Sequence, residues 1–232
     1  MLLIVDKINS YYGKSHILHD VSLHIDRGES VALLGRNGAG KTTTMNSIIG
    51  LISPKSGSIN FDGKEIIGQK PDHIVRQGIS LVPDTRRIFP TLTVLENLKI
   101  AERKSSDGNW TTSKVWELFP ELERLKTSKG RELSGGEQQM LAVARSLVGN
   151  HKLLLLDEPF EGLAPIIVKR IAKTLIEIQK TGISLLIVEQ NFRKALEIAS
   201  RCYVMNLGRV AFEGPSISIT DNPELQKKLL AV

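Results

Sequence analysis

Residues Gly35-Arg36-Asn37-Gly38-Ala39-Gly40-Lys41-Thr42-Thr43 match the pattern G-x-x-x-x-G-K-[ST] at every fixed position. That spacing suits the grip of a polyphosphate. Its glycines let the backbone curl and aim several N–H groups at one anion. A helix opening at Lys41 adds the partial positive charge of its N-terminus. In such a loop Lys41 reaches the β- and γ-phosphates, and Thr42 puts its hydroxyl on Mg²⁺. A second piece, Asp157-Glu158, ends the apolar run Leu153–Leu156. The first acid is placed to hold the metal, usually through water, and the second to orient or deprotonate an attacking water. Leu133-Ser134-Gly135-Gly136-Glu137-Gln138-Gln139 is the third piece, heading an expected helix over Gly136–Val148. It makes a second anion-facing helix terminus. One molecule cannot easily aim two such termini at one γ-phosphate, whereas two molecules packed head-to-tail can. A nucleoside triphosphate and Mg²⁺ are therefore the expected ligands.

The elements that position these residues follow from pattern. Val31–Leu34 reads as a buried strand before the phosphate loop and Thr42–Ile49 as the helix after it. Leu2–Ile8, Val21–Ile25 and Ser58–Phe61 read as a small antiparallel sheet, with Tyr11-Tyr12-Gly13 between the first two strands. Either tyrosine offers a ring on which a purine can stack. After strand Ile79–Val82, Thr93 and Glu96 form a capping box that opens a helix to about Ala101. Ser105–Thr112 reads as a loop, Lys114–Phe119 and Glu121–Leu125 as short helical pieces broken at Pro120. Strands over 153–156, 184–188, 202–205 and 210–213 alternate with helices over 165–179 and 192–199, and a short helix opens near Asp221. Alternation of this kind implies an α/β fold with a mostly parallel sheet covered on both faces.

The 232 residues suit one large domain, and the net charge of +6 is spread along the chain with no basic arm, so no nucleic-acid partner is expected. The lone cysteine, Cys202, reads as a small buried apolar residue and excludes an internal disulfide. Asp6 and Lys7 interrupt the apolar start before a signal-peptide core forms, and no run is long enough to span a bilayer. A cytoplasmic, soluble chain is expected.

The combination of Gly35–Thr43, Leu133–Gln139 and Leu153–Glu158 resembles the ATP-binding cassette (ABC) ATPases across nearly the whole chain. Kinases and GTPases share the phosphate loop; Leu-Ser-Gly-Gly-Glu-Gln is far more specific. The resemblance implies a P-loop NTPase core over 1–84 and 151–232, including the antiparallel β subdomain, with a helical subdomain inserted over 85–150. It implies ATP, with Mg²⁺, as the cofactor, favours Tyr12 for adenine and assigns Ser134, Gly135, Gly136 and Glu137 to the neighbouring cassette's nucleotide. Trp116–Pro120, Leu133–Met140, Gly162–Pro165 and Val188–Asn191 look like the smaller ATPase subunit of branched-chain amino acid importers. Such a subunit works with a related larger ATPase and two membrane permeases, fed by a periplasmic solute-binding protein, and sits peripherally on the inner face of the membrane.

Three positions depart from the family pattern. Asp84 stands where a Mg²⁺-contacting glutamine is usual, and Ala164 where a loop aspartate is usual. Gln190 replaces the γ-phosphate-sensing histidine, so it can donate a hydrogen bond but cannot carry the proton. Hydrolysis is expected at Glu158, at a site unequal to that of an unlike partner. The permease is expected between core and helical insert near Thr85–Asn97, with Ile88, Phe89 and Leu92 as apolar contacts. An exporter ATPase for lipid or lipopolysaccharide, a non-transport cassette, and a subunit that binds ATP while its partner hydrolyses remain alternatives.

Overall fold

The computed structural model of the chain describes residues 1–103 and 110–230. Strands β1 (Leu3–Tyr12) and β2 (Ser15–Ile25) form a hairpin around Gly13-Lys14, longer at its open turn than the sequence suggests. Register shifts between Val5 and Ile8 and between Ile8 and Ser10 break the two-residue alternation by which strands are read. Strand β3 (Ser30–Leu34) enters the phosphate loop and α1 (Lys41–Ile48) leaves it. β4 (Ser56–Phe61) and β5 (Lys64–Glu65) complete an antiparallel sheet in the order β2-β1-β4-β5.

A helix unread from sequence, α2 (Pro71–Gln77), precedes β6 (Ile79–Val82). Next come α3 (Val94–Ala101), α4 (Thr112–Leu118), α5 (Pro120–Arg124) and, after a 3-10 turn, α6 (Gly135–Val148). The box at Thr93 is formed: its Oγ1 accepts from Glu96 N–H at 3.2 Å, and Glu96 Oε2 accepts from Thr93 N–H at 2.8 Å. The loop expected over Ser105–Thr112 falls mostly outside the described residues.

The chain then alternates through β7 (Leu153–Asp157), α7 (Pro165–Lys180), β8 (Ser184–Glu189), α8 (Phe192–Ile198) and β9 (Arg201–Asn206). It closes with β10 (Arg209–Pro215), the unexpected α9 (Ser216–Thr220) and α10 (Pro223–Leu230). The main sheet has the order β10-β9-β3-β8-β7-β6, parallel from β9 to β6, with β10 antiparallel at its edge.

The main sheet is buried on both faces. Val31, Leu33, Leu153, Leu155, Leu186 and Val188 join a core with the antiparallel sheet and α1. Their neighbours Ala32, Leu34, Leu154, Leu156, Leu185 and Ile187 join a second core with α6, α7 and α8. Each such leucine contributes roughly 1.5–3 kcal/mol by leaving water, which makes the strand ends a firm platform. Cys202 lies fully buried on β9, and burial pushes its thiol up to about 11. Four adjacent parallel strands, β3, β8, β7 and β6, end in the loops that carry the phosphate motif, Gln190, Glu158 and Asp84. Ligands of open α/β sheets bind beyond such carboxyl ends.

Candidate active site

Gly40 stands at the N-cap of α1 with φ +105, and a side chain there would come within 2.8 Å of Leu18 Cδ2. Lys41 folds back under the loop and is only 4% exposed. Its Nζ donates to the carbonyls of Gly35 at 2.9 Å and Arg36 at 3.2 Å, and lies 3.5 Å from Glu158 Oε1. Thr42 Oγ1 donates to Asp157 Oδ1 at 3.4 Å. A cleft of about 280 Å³ brings together Tyr12, Asn37, Gly38, Gly40, Lys41, Thr42, Thr43 and Glu158, with Ala39 buried beside it. Ile17, which sequence reasoning missed, completes this lining; as one more apolar strand residue it gave no distinguishing signal. The two tyrosines part company here. Tyr11 stacks on His16 at 4.2 Å under the Lys55 ammonium, whereas Tyr12 is half exposed at the cleft.

Beyond the phosphate loop the site is rich in acids. Asp157 is buried at the end of β7, and Asp84, exposed, accepts the Thr85 N–H at 2.6 Å. Glu158 holds an uncommon φ of +45, with its N–H donating to the Val188 carbonyl at 2.9 Å. Glu161 and Glu189, neither foreseen as site residues, join Glu158 and Gln190 around a second cleft of about 490 Å³. The Glu158 carboxylate beside Glu161 raises the latter's pKa by hydrogen bonding and repulsion. Among the described residues no cluster of three or more His, Cys, Asp or Glu forms a ready metal cage. The Thr42 hydroxyl and the Asp157 carboxylate are nonetheless hard oxygen donors in contact. They suit a divalent cation that takes its remaining ligands from water and phosphate.

The third motif lies apart. Ser134 caps α6, accepting the Glu137 N–H at 3.4 Å while Glu137 Oε2 accepts the Ser134 N–H at 2.7 Å. Neither residue lines the two clefts just described. Gly136 is needed for close packing, because a Cβ there would come within 2.7 Å of Ile167 on α7. Arg86, from the loop after β6, lies over Gly135.

A further cleft, of about 360 Å³, separates α2 and β6 from α3 and α6. Its lining overlaps the segment expected to meet the permease. Arg86 and Arg87 do line it, but its apolar lining includes Leu51 and Ile100 rather than Ile88, Phe89 and Leu92. Ile88 packs against the helical core, and Phe89 carries the Arg145 guanidinium at 5.0 Å from its ring centre.

Residues 18–161 match the family described as ABC transporter. The chain belongs to the ABC transporter family. It is an ATP-hydrolysing cassette with the P-loop NTPase fold. The cassette is 41% identical over 231 residues to "High-affinity branched-chain amino acid transport ATP-binding protein BraG" of Pseudomonas aeruginosa, covering 99% of each chain. It is 33% identical over 233 residues to "Lipopolysaccharide export system ATP-binding protein LptB" of Haemophilus influenzae, covering 99% of this chain and 97% of that one. A dimeric post-hydrolysis structure of the cassette MJ0796 with ADP and Pi aligns at a TM-score of 0.79 and 25% identity, covering 93% of this chain and 99% of that one.

Two acids of the cassette are costly in the ligand-free state. Burial, helped by the charges of Asp84 and Glu158 and opposed by the Thr42 hydroxyl and Lys41, pushes Asp157 up to about 6. Burial likewise pushes Glu189 up to about 7. Both values exceed those of the unfolded chain, so the folded state holds protons that the unfolded state has released. Stability from these groups is therefore full at low pH and falls as pH rises through about 4 to 7. Asp157→Asn is expected to stabilise the ligand-free protein at pH 7.5 by about 1–3 kcal/mol and to flatten this decline. Thermal unfolding at pH 5 and 7.5 without nucleotide checks it.

Proposed function

We propose that this cassette is the ATPase subunit energising uptake of branched-chain or related amino acids through membrane permeases. The observation that carries this is likeness to BraG along 99% of both chains, in a chain that keeps Lys41 and Glu158 at one cleft and Asp157 in contact with Thr42. Geometry and the family resemblance support the following roles. Lys41 exchanges its loop carbonyls for the β- and γ-phosphates, and its 3.5 Å distance from Glu158 sets the base beside the reacting phosphate. Glu158 orients and deprotonates the attacking water. Gln190, on the same cleft as Glu158, donates a hydrogen bond toward the γ-phosphate. Tyr12 stacks on the adenine. Thr42 and Asp157, with Asp84 at the adjacent strand end, hold Mg²⁺, which neutralises charge on the phosphates when bound. Ser134–Glu137 face the nucleotide of a second cassette, in the head-to-tail dimer with a related larger ATPase.

No helix among the described residues is long and apolar enough to cross a membrane. We therefore attribute membrane association to the permeases, docked in the arginine-lined cleft between α2, α3 and α6. Exposed Ile100, at 62%, is the place to test this without disturbing the core. Ile100→Asp is expected to abolish co-purification with the permeases while nucleotide affinity stays within about twofold, since the residue lines neither the phosphate-loop cleft nor the cleft beside Glu158. Retained co-purification would remove the cleft from the docking surface.

Likeness to LptB at 33% identity supports export as the second reading. The assembled complex, reconstituted in vesicles, decides between them. Stimulation of its ATPase by a branched-chain amino acid with a binding protein supports import. Stimulation by lipopolysaccharide alone would replace import with export.

A further inference from the structure

Glu189 ends β8, is 4% exposed, and has no part in the roles assigned above. Its carboxylate accepts from backbone N–H groups on two different loops. Oε1 accepts from Phe160 at 3.2 Å and Oε2 from Asn191 at 3.4 Å. Phe160 follows Glu158 by two residues, and Asn191 follows Gln190 directly. One side chain thus sews the loop bearing the base to the loop bearing its glutamine. All three side chains, of Glu158, Glu189 and Gln190, line the 490 Å³ cleft.

Glu158 needs such a hold. Its φ of +45 lies in a region that residues with side chains enter at a cost and keep only when their surroundings over-determine it. The single backbone bond to Val188 fixes its N–H; the Phe160 N–H fixes the turn on its far side. Stability alone would favour an apolar residue at position 189, because Phe160, Leu163 and Val168 border the same cleft and a buried carboxylate is costly. What the carboxylate adds is the pair of hydrogen bonds.

We infer that Glu189 is a positioning residue for ATP hydrolysis: by holding the N–H groups of Phe160 and Asn191, it sets the separation of Glu158 from Gln190. This rests on the proposed roles of Glu158 and Gln190. Glu189 touches no reacting atom and acts through both.

The test uses the full-length chain in its assembled complex. Steady-state ATPase kinetics and affinity for a fluorescent ATP analogue are compared across variants. Glu189→Leu, which accepts nothing, and Glu189→Asp, one methylene too short to span both loops, each lower kcat about tenfold with affinity unchanged within twofold. Glu189→Gln keeps an acceptor for the shorter bond, from Phe160, and retains kcat within about threefold. The inference is overturned if Leu and Asp keep wild-type kcat, if Gln loses as much as Leu, or if kcat and affinity fall together. Should the Leu variant fail to fold, Asp against Gln carries the same comparison. Glu158→Gln is read separately in the same assay. Its retention of turnover would remove Glu158 as the base, while the Glu189 series still reports whether the tether sets kcat.

Discussion

Glu158→Gln is expected to lower ATP turnover by roughly 10²–10⁴-fold, the range supplied by a positioned general base. The substitution is close to isosteric, so it leaves the turn at Glu158 and its N–H bond to Val188 in place. It removes the negative charge 3.5 Å from Lys41 Nζ. That carboxylate also repels the incoming triphosphate, so nucleotide affinity should stay equal or tighten severalfold. The expected signature is thus a split, with phosphate release nearly gone and binding intact. Equilibrium binding of a fluorescent ATP analogue, beside phosphate release from the assembled complex, measures both. Equal loss of both would point to a collapsed phosphate loop instead of a missing base. Turnover near wild type would assign the proton to another acid, and Glu161 is the neighbour in reach.

The phosphate loop was legible because its chemistry leaves little choice of residue: Gly40 must turn with φ +105, and Lys41 must follow it. The strand before Asp157 was legible because Leu153 and Leu155 enter one core while Leu154 and Leu156 enter the other, leaving no polar position to blur the run. Helix α2 escaped because only Ile74 is buried in it, too little for a periodic stripe. The full lengths of β1 and β2 were hidden by bulges. At the site, residue types were readable but partners were not. Nothing in sequence spacing announces that Glu189 holds Phe160, since that bond joins loops 29 residues apart. Tertiary contact likewise favours Tyr12 over Tyr11 as the proposed purine platform, Tyr11 being occupied by His16 and Lys55. Nor does spacing show that Ile88 packs against the helical core while Ile100 lies exposed.

Ser134→Arg in this cassette, paired with an unaltered partner ATPase, is expected to cut hydrolysis at the partner's nucleotide by about 10²-fold or more. Removal of one preorganised donor alone costs 10²–10³ in comparable sites. The new side chain also fills space that the γ-phosphate of the neighbour requires. ATP affinity at this cassette's own phosphate loop should stay within about twofold, because Ser134 lines neither cleft beside Lys41. Ser134→Ala separates the two contributions, since it removes the hydroxyl donor, with the N-cap bond to Glu137 worth about 1 kcal/mol of helix stability, and fills no space. Lys41→Ala in this chain supplies the contrast, emptying its own site while leaving Ser134 free to serve the partner. If Ser134→Arg silenced its own site and spared the partner's, the α6 tip would act within one molecule and the head-to-tail arrangement would fail. Its position favours the opposite outcome: α6 begins at Gly135, packed by Gly136 against Ile167 on α7, which holds the exposed Ser134 on a tip outside the lining of its own phosphate loop's cleft.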